Sequence, residues 1–381
     1  MVVLPITSAR LAVSFGFVLL LSACGDDVAG SGDENGAVAD DSGGGGSDGG
    51  DTPPDAGLRP PCVDPGDDGE CPVAGYPDRP YQVWVPTSAG GEPLPVVIAL
   101  HGGSGNALAG ATSTCPQGDL DDPGCLHAVG EREGFLTVYP NGTAIRGNRR
   151  VWNGGGGGER SGGEDWACIA ACDEALAGRP IYVGDVDEAA YVMAVLDDLA
   201  AWVPIDRRRV YAVGLSNGGV VAHRLGCVLA DRIAAIAAIG ASNQYATSAP
   251  CTPARPMPVL HIHGTEDGCW QYGGGPIVCQ NPNNTRPALG VAASMEGWAD
   301  RNGCTGGPET TNGPERVDDG IRVEEDRWTG CDAPTRHLRV IGGGHTWLGG
   351  RQYLDEAVIG PSYPDVTNGD LWTFFNEQRL P

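Results

Sequence analysis

The stretch RRRVYAVGLSNGGVVAHRLG, residues 207–226, begins as a strand and ends as a helix. Its apolar run Val210–Leu215 is typical of a strand that is buried on both faces. Gly214 and Gly218 flank Ser216, and small residues are needed where a strand turns into a helix in one step. In this context the G-x-S-x-G pattern predicts a nucleophile elbow, which holds the Ser216 hydroxyl in the open. A tight turn in which the serine only caps the helix is the alternative interpretation.

Short apolar runs alternate with helical patterns along most of the chain. Strands are predicted at Tyr81–Val85, Val96–Leu100, Phe135–Tyr139, Val210–Leu215, Ile233–Ile239, Val259–His263 and Leu338–Ile341. Helices are predicted at Asp187–Trp202, after Ser216, around Ala288–Arg301 and near Leu371–Gln378. Apolar strands that alternate with helices favour a mostly parallel sheet covered by helices on both faces. We therefore expect one α/β domain over residues 61–381.

Residues 143–182 interrupt this alternation. They contain Trp152, a run of five glycines, Trp166 and the couple Cys168/Cys172. Long irregular insertions in compact domains are usually functional or disordered. We predict an ordered loop that lies over the active face of the domain.

Charge and composition exclude several classes of function. The 381 residues carry a net charge of −25, which argues against nucleic acid as a partner and against a polybasic membrane contact. All 24 basic residues are arginines, so Schiff-base lysines, Ser-Lys dyads and phosphate-binding Walker lysines are excluded. The segment 24–60 is rich in Gly, Asp and Ser and has almost no apolar residues, so we predict a disordered acidic tether there.

The N-terminus has the features of an export signal. Arg10 precedes the apolar run Leu11–Leu21, which is short for a membrane span but suits a signal-peptide core. The run ends in Leu-Ser-Ala-Cys24, which resembles a bacterial lipobox. The resemblance implies a signal peptide over residues 1–23 and lipidation of Cys24, and an ordinary secretory signal is the alternative. We expect a periplasmic or cell-surface lipoprotein that contacts the membrane only through its lipid anchor.

Twelve further cysteines fall in neighbouring couples, and an exported protein meets an oxidising compartment. We predict the disulfides Cys62/Cys71, Cys115/Cys125, Cys168/Cys172, Cys227/Cys251, Cys269/Cys279 and Cys304/Cys331. A metal site is the weaker interpretation, because no Cys-x-x-Cys pair at zinc spacing occurs. His261 and His263 form an H-x-H pair, but no third ligand at a suitable spacing follows, so structural histidines are favoured. We expect neither a metal nor a cofactor.

A nucleophilic serine needs a base and an acid that orients the base. If the chain order is Ser, acid, His, the base lies late in the sequence. His345 stands in a glycine-rich loop after the last predicted strand, whereas His337 lies at the start of that strand. The acid is expected in the loop after Val259–His263, where Asp267 is the choice and Glu266 the alternative.

Two further groups of residues complete the predicted site. The segment VVIALHGGSGN ends a strand in a glycine-rich loop, so the backbone N–H of Gly103 or Ser104 is expected to form an oxyanion hole with that of Asn217. Turn formation alone is the other explanation for these glycines. Four aromatic residues are candidates to line a pocket for an aromatic acyl group or a sugar ring, with core packing as the alternative: Trp166, Trp270, Tyr272 and Trp347.

Four segments, taken together, resemble a known family: His101-Gly102-Gly103, VYAVGLSNGG, HIHGTED and GGGHTW. They are similar to the secreted esterases grouped as polyhydroxybutyrate depolymerases and feruloyl or acetylxylan esterases, and they occur in the family's order over roughly residues 80–375. The resemblance implies the α/β-hydrolase fold, with the nucleophile at Ser216, the acid at Asp267 and the base at His345. It also places the family's acidic segment at Asp185 and Asp187, which we interpret as helix caps.

These patterns predict a serine carboxylic-ester hydrolase of the feruloyl or acetylxylan esterase type, which forms an acyl-enzyme. The expected substrate is an ester of a plant polysaccharide or a polyester, and the expected state is a monomer. A polyhydroxyalkanoate depolymerase and an acyltransferase are alternatives that would use the same residues. A surface-binding protein on a catalytically inactive hydrolase fold is an alternative of another class.

Overall fold

A computed structural model of the chain describes residues 69–155, 186–277 and 287–381. The described strands are β1 (Cys71–Val73), β2 (Tyr76–Trp84), β3 (Leu94–Leu100), β4 (Leu136–Pro140), β5 (Thr143–Arg146), β6 (Arg149–Val151), β7 (Ile205–Leu215), β8 (Ala235–Ile239), β9 (Val259–Gly264), β10 (Gly275–Pro276), β11 (Pro287–Ala288), β12 (Gly306–Asn312), β13 (Arg322–Thr329) and β14 (Thr335–Ile341). The described helices are α1 (Ala107–Ser113), α2 (Leu126–Glu133), α3 (Glu188–Ala200), α4 (Asn217–Val228), α5 (Tyr245–Ser248), α6 (Val291–Arg301), α7 (Glu356–Ile359) and α8 (Asn368–Asn376).

Several of the predictions fall outside these ranges. They concern the signal peptide 1–23, the tether 24–60 with Cys24, and the residues Cys62, Trp166, Cys168, Cys172, Asp185 and Cys279. Within the described ranges, no helix is both long and apolar enough to cross a membrane.

Ten strands form one sheet in the order β1-β2-β4-β3-β7-β8-β9-β14-β13-β12. The six strands from β4 to β14 in this order run parallel. Antiparallel strands extend the sheet at both edges. The prediction of a mostly parallel sheet is confirmed, and the strand order with its strand–turn–helix elbow is that of the α/β-hydrolase fold.

Helices cover both faces of the sheet, as the alternation of buried side chains in β3 shows. Val96, Ile98 and Leu100 point to the face that packs against α3, α4 and α6. Val97 and Ala99 point to the opposite face, which packs against α1, α2 and α8. A strand buried on both faces must be apolar at every position, which is why this run predicts a central strand.

Two hairpins differ from the predicted pattern. The edge strand β12 is exposed at all seven positions and its sequence GGPETTN has no apolar alternation, so the sequence gives no signal for the hairpin β12–β13. Residues 143–151, the first part of the insertion expected to be irregular, form the hairpin β5–β6. Gly105 pairs with Arg150 and so attaches this second hairpin to the loop after β3.

Disulfides connect the loops that the cysteine spacing indicates. The structure contains Cys115–Cys125, Cys227–Cys251 and Cys304–Cys331. Cys71 and Cys269 are also disulfide-bonded, and the partners predicted for them lie outside the described residues. Cys115 and Cys125 lie with His127 at the spacing of metal ligands. Because the two sulfurs are bonded to each other, they offer no thiolate to a metal.

A buried ion pair connects β2 with α3. The carboxylate of Glu188 accepts a hydrogen bond from the guanidinium of Arg79, and both side chains are buried. Its second oxygen accepts the N–H of Asn153 at 2.8 Å. The Arg79 guanidinium also lies 3.7 Å from the centre of the Tyr191 ring. Asp187, just before Glu188, caps α3 by accepting the N–H groups of the first turn, as expected.

Loss of this pair should destabilise the fold strongly. We expect Glu188→Ala to lower the free energy of unfolding by about 3–5 kcal/mol, because it leaves the Arg79 charge buried without its partner. Asp197→Ala is the control, since it breaks the pair of Asp197 with Arg207, whose side chains are 65% and 53% exposed. That change should cost less than about 1 kcal/mol. Urea denaturation measures both, and equal effects would contradict the role given to the buried pair.

Candidate active site

The predicted elbow between β7 and α4 is present, and its geometry explains both glycines. Ser216 has φ 56° and ψ −123°, a left-handed conformation that residues other than glycine rarely adopt. A Cβ atom on Gly214 would lie 2.3 Å from the backbone of Gly218. A Cβ atom on Gly218 would lie 2.3 Å from the carbonyl oxygen of Leu100 in β3. Any larger residue at either position would push the elbow away from the sheet.

Ser216 is anchored through its backbone and not through its side chain. Its N–H donates to the carbonyl of Ile239 at the end of β8, at 2.8 Å. Its carbonyl accepts the N–H of Val220 at 3.1 Å. The residue is partly exposed, and its hydroxyl makes no hydrogen bond to any described residue. The hydroxyl is therefore held in place by the main chain and free to react.

Asp267 and His345 form a close buried pair. Asp267 lies in the loop after β9 and His345 in the loop after β14, and these two strands are parallel neighbours. The distance from His345 Nδ1 to Asp267 Oδ2 is 2.6 Å, and both side chains are almost fully buried. A carboxylate only accepts hydrogen bonds, so Nδ1 carries the proton and Nε2 keeps its lone pair. The alternative acid, Glu266, is exposed to solvent.

The Asp267 carboxylate is saturated with hydrogen bonds. Oδ1 accepts the backbone N–H groups of Cys269 at 2.8 Å and Trp270 at 2.6 Å. Oδ2 receives His345 and also lies 3.2 Å from His263 Nε2. Burial raises the pKa of Asp267, but the electrostatic interaction with His345 and the hydrogen bonds from both imidazoles outweigh burial and lower this pKa to about 2. The carboxylate is therefore ionised at neutral pH.

Gly240 brings the pair next to the elbow. It follows Ile239, which binds the Ser216 N–H, and it has φ 56°. A Cβ atom there would lie 2.8 Å from His345 Nδ1 and 3.3 Å from Asp267 Oδ2. His345 Nε2 is buried and has no hydrogen-bond partner among the described residues. No hydrogen bond joins it to Ser216 within that part of the chain, and such bonds are often long in ligand-free sites and tighten when the substrate binds.

The predicted oxyanion donors lie on two loops that touch. A Cβ atom on Gly103 would lie 3.6 Å from the Asn217 Cβ. Neither Gly103 N–H nor Asn217 N–H donates a hydrogen bond within the described residues. The third candidate, Ser104, has φ 64°, and its hydroxyl accepts Arg149 at 3.0 Å. The N–H groups of Gly103 and Asn217, which have no acceptor among the described residues, are available to a developing oxyanion.

The four aromatic residues expected in a pocket differ in their positions. Trp347 is 2% exposed, packs in the core and donates its indole N–H to Asn368 at 2.8 Å, so it is a core residue and not a pocket wall. Tyr272 is half-buried and packs over the buried imidazoles of His263 and His337. Trp270 is buried in a small apolar cluster with Val220, one helical turn after Ser216, and its indole N–H has no partner among the described residues. Trp166 lies outside those residues.

The H-x-H pair has a structural explanation. His261 and His263 lie on the same face of β9, and His261 Nε2 is 3.2 Å from His263 Nδ1. His263 Nε2 donates to the carbonyl of Trp270 at 2.7 Å, which leaves its Nδ1 as the acceptor for His261. These contacts use three of the four ring nitrogens, and His261 Nδ1 has no partner among the described residues. Sequence reasoning missed that His263 reaches Asp267, although its position next to the loop of the acid was the available signal.

Together these groups are suited to acyl transfer. Among the described residues, this edge of the sheet carries a hydroxyl without a hydrogen bond, a buried imidazole that a saturated carboxylate orients, and two N–H groups without acceptors on loops that touch. These are the parts that attack on a carbonyl group requires.

Comparisons with known proteins give partial matches. The chain is 32% identical to feruloyl esterase B of Piromyces equi over 175 residues, which are 43% of this chain and 32% of that protein. It is 26% identical over 291 residues to NocK of Nocardia uniformis subsp. tsuyamanensis, which is named as a candidate esterase, and the match covers 73% of each chain. It is 25% identical over 193 residues to the bifunctional acetylxylan esterase/xylanase XynS20E of Neocallimastix patriciarum, which is 50% of this chain and 23% of that protein. The chain thus spans about a third or less of two of these relatives, and no protein-family model matches it.

Proposed function

We propose that this protein is a serine carboxylic-ester hydrolase. The observation that carries the proposal is the pair of His345 and Asp267 at 2.6 Å, in which the buried Nε2 of the imidazole has no hydrogen-bond partner among the described residues. A buried, correctly protonated imidazole has little structural use for an unpaired nitrogen, because a buried polar atom without a partner costs about 1–3 kcal/mol. A substrate hydroxyl or the Ser216 hydroxyl would satisfy it.

The proposed reaction assigns one role to each group. Ser216 Oγ attacks the ester carbonyl while His345 Nε2 takes the hydroxyl proton. The N–H groups of Gly103 and Asn217 bind the negative oxygen of the tetrahedral intermediate. His345 then gives its proton to the leaving alcohol, which departs and leaves an acyl group on Ser216. Water, activated in turn by His345, releases the acid, and Asp267 stabilises the imidazolium throughout.

The substrate class that we propose is a feruloyl or acetyl ester of a plant polysaccharide. The names of two curated relatives, a feruloyl esterase and an acetylxylan esterase/xylanase, support this class.

Removal of the nucleophile tests the proposal directly. We expect Ser216→Ala to lower kcat for p-nitrophenyl acetate and for a feruloyl ester by at least about 10⁴-fold, because no other group forms the acyl-enzyme. A fluorophosphonate should label the wild type at Ser216. Ser113→Ala, which removes a hydroxyl that only bonds Ala109 in α1, should keep full activity.

Three outcomes of this experiment would contradict the proposal in different ways. Undiminished turnover by Ser216→Ala would exclude the catalytic serine. An inert wild type that a fluorophosphonate does not label would favour a binding protein on this fold. Clearing of a hydroxybutyrate polymer emulsion without hydrolysis of feruloyl or acetylxylan esters would move the substrate class to polyesters.

A methyl group at Gly240 should disable the site without touching the nucleophile. We expect Gly240→Ala to lower kcat by about 10²-fold or more, because its Cβ would displace the imidazole of His345 from the carboxylate of Asp267. Gly134→Ala is the matched control, since Gly134 has φ 77° and a Cβ atom there would meet nothing within 4 Å. It should lower stability and leave kcat unchanged. Similar kinetics for the two variants would show that backbone strain, and not the site, explains the loss.

We also propose that the protein is exported as a lipoprotein with Cys24 as its anchor. The lipobox-like end of the apolar run supports this, and so do the three disulfides of the described domain, which need an oxidising compartment. In a bacterial host the wild type should incorporate labelled palmitate and stay with the membrane fraction. Cys24→Ser should do neither. If the wild type incorporates no labelled palmitate, an ordinary secretory signal is favoured.

A further inference from the structure

The two N–H groups that would bind the oxyanion belong to different parts of the fold. Gly103 lies in the loop after β3, and Asn217 begins α4 after β7. Donors of this kind stabilise a transition state only if their spacing is fixed before the substrate arrives. The neighbouring strands hold the two loops in contact, but both loops continue beyond Leu100 and Gly214, the last residues that pair β3 with β7. Their separation therefore depends on contacts outside the sheet.

Trp152, just after β6, contacts both loops. Its backbone N–H donates to Asn217 Oδ1 at 2.8 Å, and its carbonyl accepts Asn217 Nδ2 at 3.1 Å. These two bonds clamp the side chain of the residue whose backbone N–H faces the site. At its other end the indole N–H of Trp152 donates to the carbonyl of His101 at 2.9 Å. One fully buried residue thus joins the start of the β3 loop to the start of α4.

His101 transmits this anchoring to the donor in the β3 loop. Its Nε2 accepts the N–H of Gly142 at 3.0 Å, so the proton of this buried imidazole is on Nδ1. Nδ1 lies 2.7 Å from the carbonyl oxygen of Gly102 and donates to it. That carbonyl and the N–H of Gly103 belong to one planar trans peptide, and they point in opposite directions. Holding the carbonyl towards His101 therefore turns the Gly103 N–H away from it.

Further contacts of Trp152 and of the next residue fix the position of Trp152. The next residue, Asn153, gives its N–H to Glu188 at 2.8 Å, and its carbonyl accepts Arg224 at 2.7 Å. The indole ring packs beside His101, with ring centres 4.8 Å apart, and the guanidinium of Arg79 lies 5.4 Å from its centre. These contacts fix the position of Trp152, and the two loops that bind Trp152 are therefore held relative to it.

We propose that Trp152 is a positioning residue that sets the separation of the two oxyanion donors, through its backbone on Asn217 and its indole N–H on His101. The inference rests on the proposed esterase function and deepens it. It assigns no contact with the substrate to Trp152. Its effect is on the intermediate, because a donor that is misplaced by a fraction of an ångström still admits the neutral ester but binds the oxyanion poorly.

The test compares two buried tryptophans that each donate an indole hydrogen bond. Trp152→Phe keeps a ring and removes the donor to His101. Trp298→Phe is the matched control, because Trp298 is also fully buried in the same core and donates to His223 at 3.0 Å, and His223 follows Ser216 by seven residues in α4. We expect Trp152→Phe to lower kcat for p-nitrophenyl acetate by about 10–100-fold with KM changed less than threefold. Trp298→Phe should keep kcat within about twofold.

A second variant covers the case in which Trp152→Phe does not fold. Asn217→Ala removes both bonds to the Trp152 backbone and keeps the N–H of residue 217. It should show the same fall in kcat with little change in KM. The inhibition constant of a trifluoromethyl ketone, which forms a tetrahedral oxyanion on the serine, should rise by the same factor as kcat falls. Both changes break the same link, which runs through Trp152 from the β3 loop to α4. The kcat of the double variant should therefore be no lower than that of the worse single variant.

The possible failures are distinguishable. If the wild type hydrolyses esters and Trp152→Phe behaves like Trp298→Phe, the positioning role is wrong and the esterase proposal stands. A loss that appears in KM alone, or a shift of the pH profile in place of kcat, also overturns the role, because it would point to the substrate pocket or to His345. If the wild type hydrolyses no ester, the proposed function and this inference fail together.

Discussion

The close approach of α4 to the end of β3 is the constraint on which the site depends. Gly218 lies so near Leu100 that even a methyl group on it would clash with the carbonyl oxygen of Leu100 at the end of β3. This contact brings the serine elbow beside the loop that begins at His101, the residue after Leu100. The Ser216 hydroxyl and the loop after β3 are thus neighbours because the backbones of α4 and β3 are in contact. Side-chain contacts then adjust their positions. The sheet supplies the rest, since β8, β9 and β14 deliver their loops to the same edge in sequence order.

Predictions from the sequence succeed where a residue type has a single structural explanation. Glycines at 214 and 218 imply a backbone without room for Cβ, and the structure has that geometry. Apolar runs such as Val96–Leu100 imply burial on both faces, which the two core clusters contain. His345 and Asp267 follow neighbouring strands, so their loops meet at one edge. Each of these inferences needs only the strand and the residue that follows it.

Features that depend on several loops at once are not visible in the sequence. Trp347 follows His345 directly, yet its ring turns into the core and binds Asn368, which no local pattern indicates. Trp152 and His101 interact across 51 positions, and Asn217 reaches Trp152 across 65. The exposed strand β12 carries no hydrophobic signal, because its stability comes from pairing with β13 and not from burial. The fold was therefore predictable and the three candidate side chains could be named from the sequence, whereas the residues that hold them could not.

The buried imidazoles have a consequence for the chain in acid. Burial lowers the pKa of His101 and His223 to about 3, and that of His261 falls well below 6.5. In the unfolded chain each of these side chains takes up a proton near pH 6.5. Between about pH 6.5 and pH 3 the unfolded state therefore binds more protons than the native state. Each such histidine lowers the free energy of unfolding as the pH falls through this interval. Neutral imidazoles in the core of this acidic protein thus contribute to its loss of stability in acid.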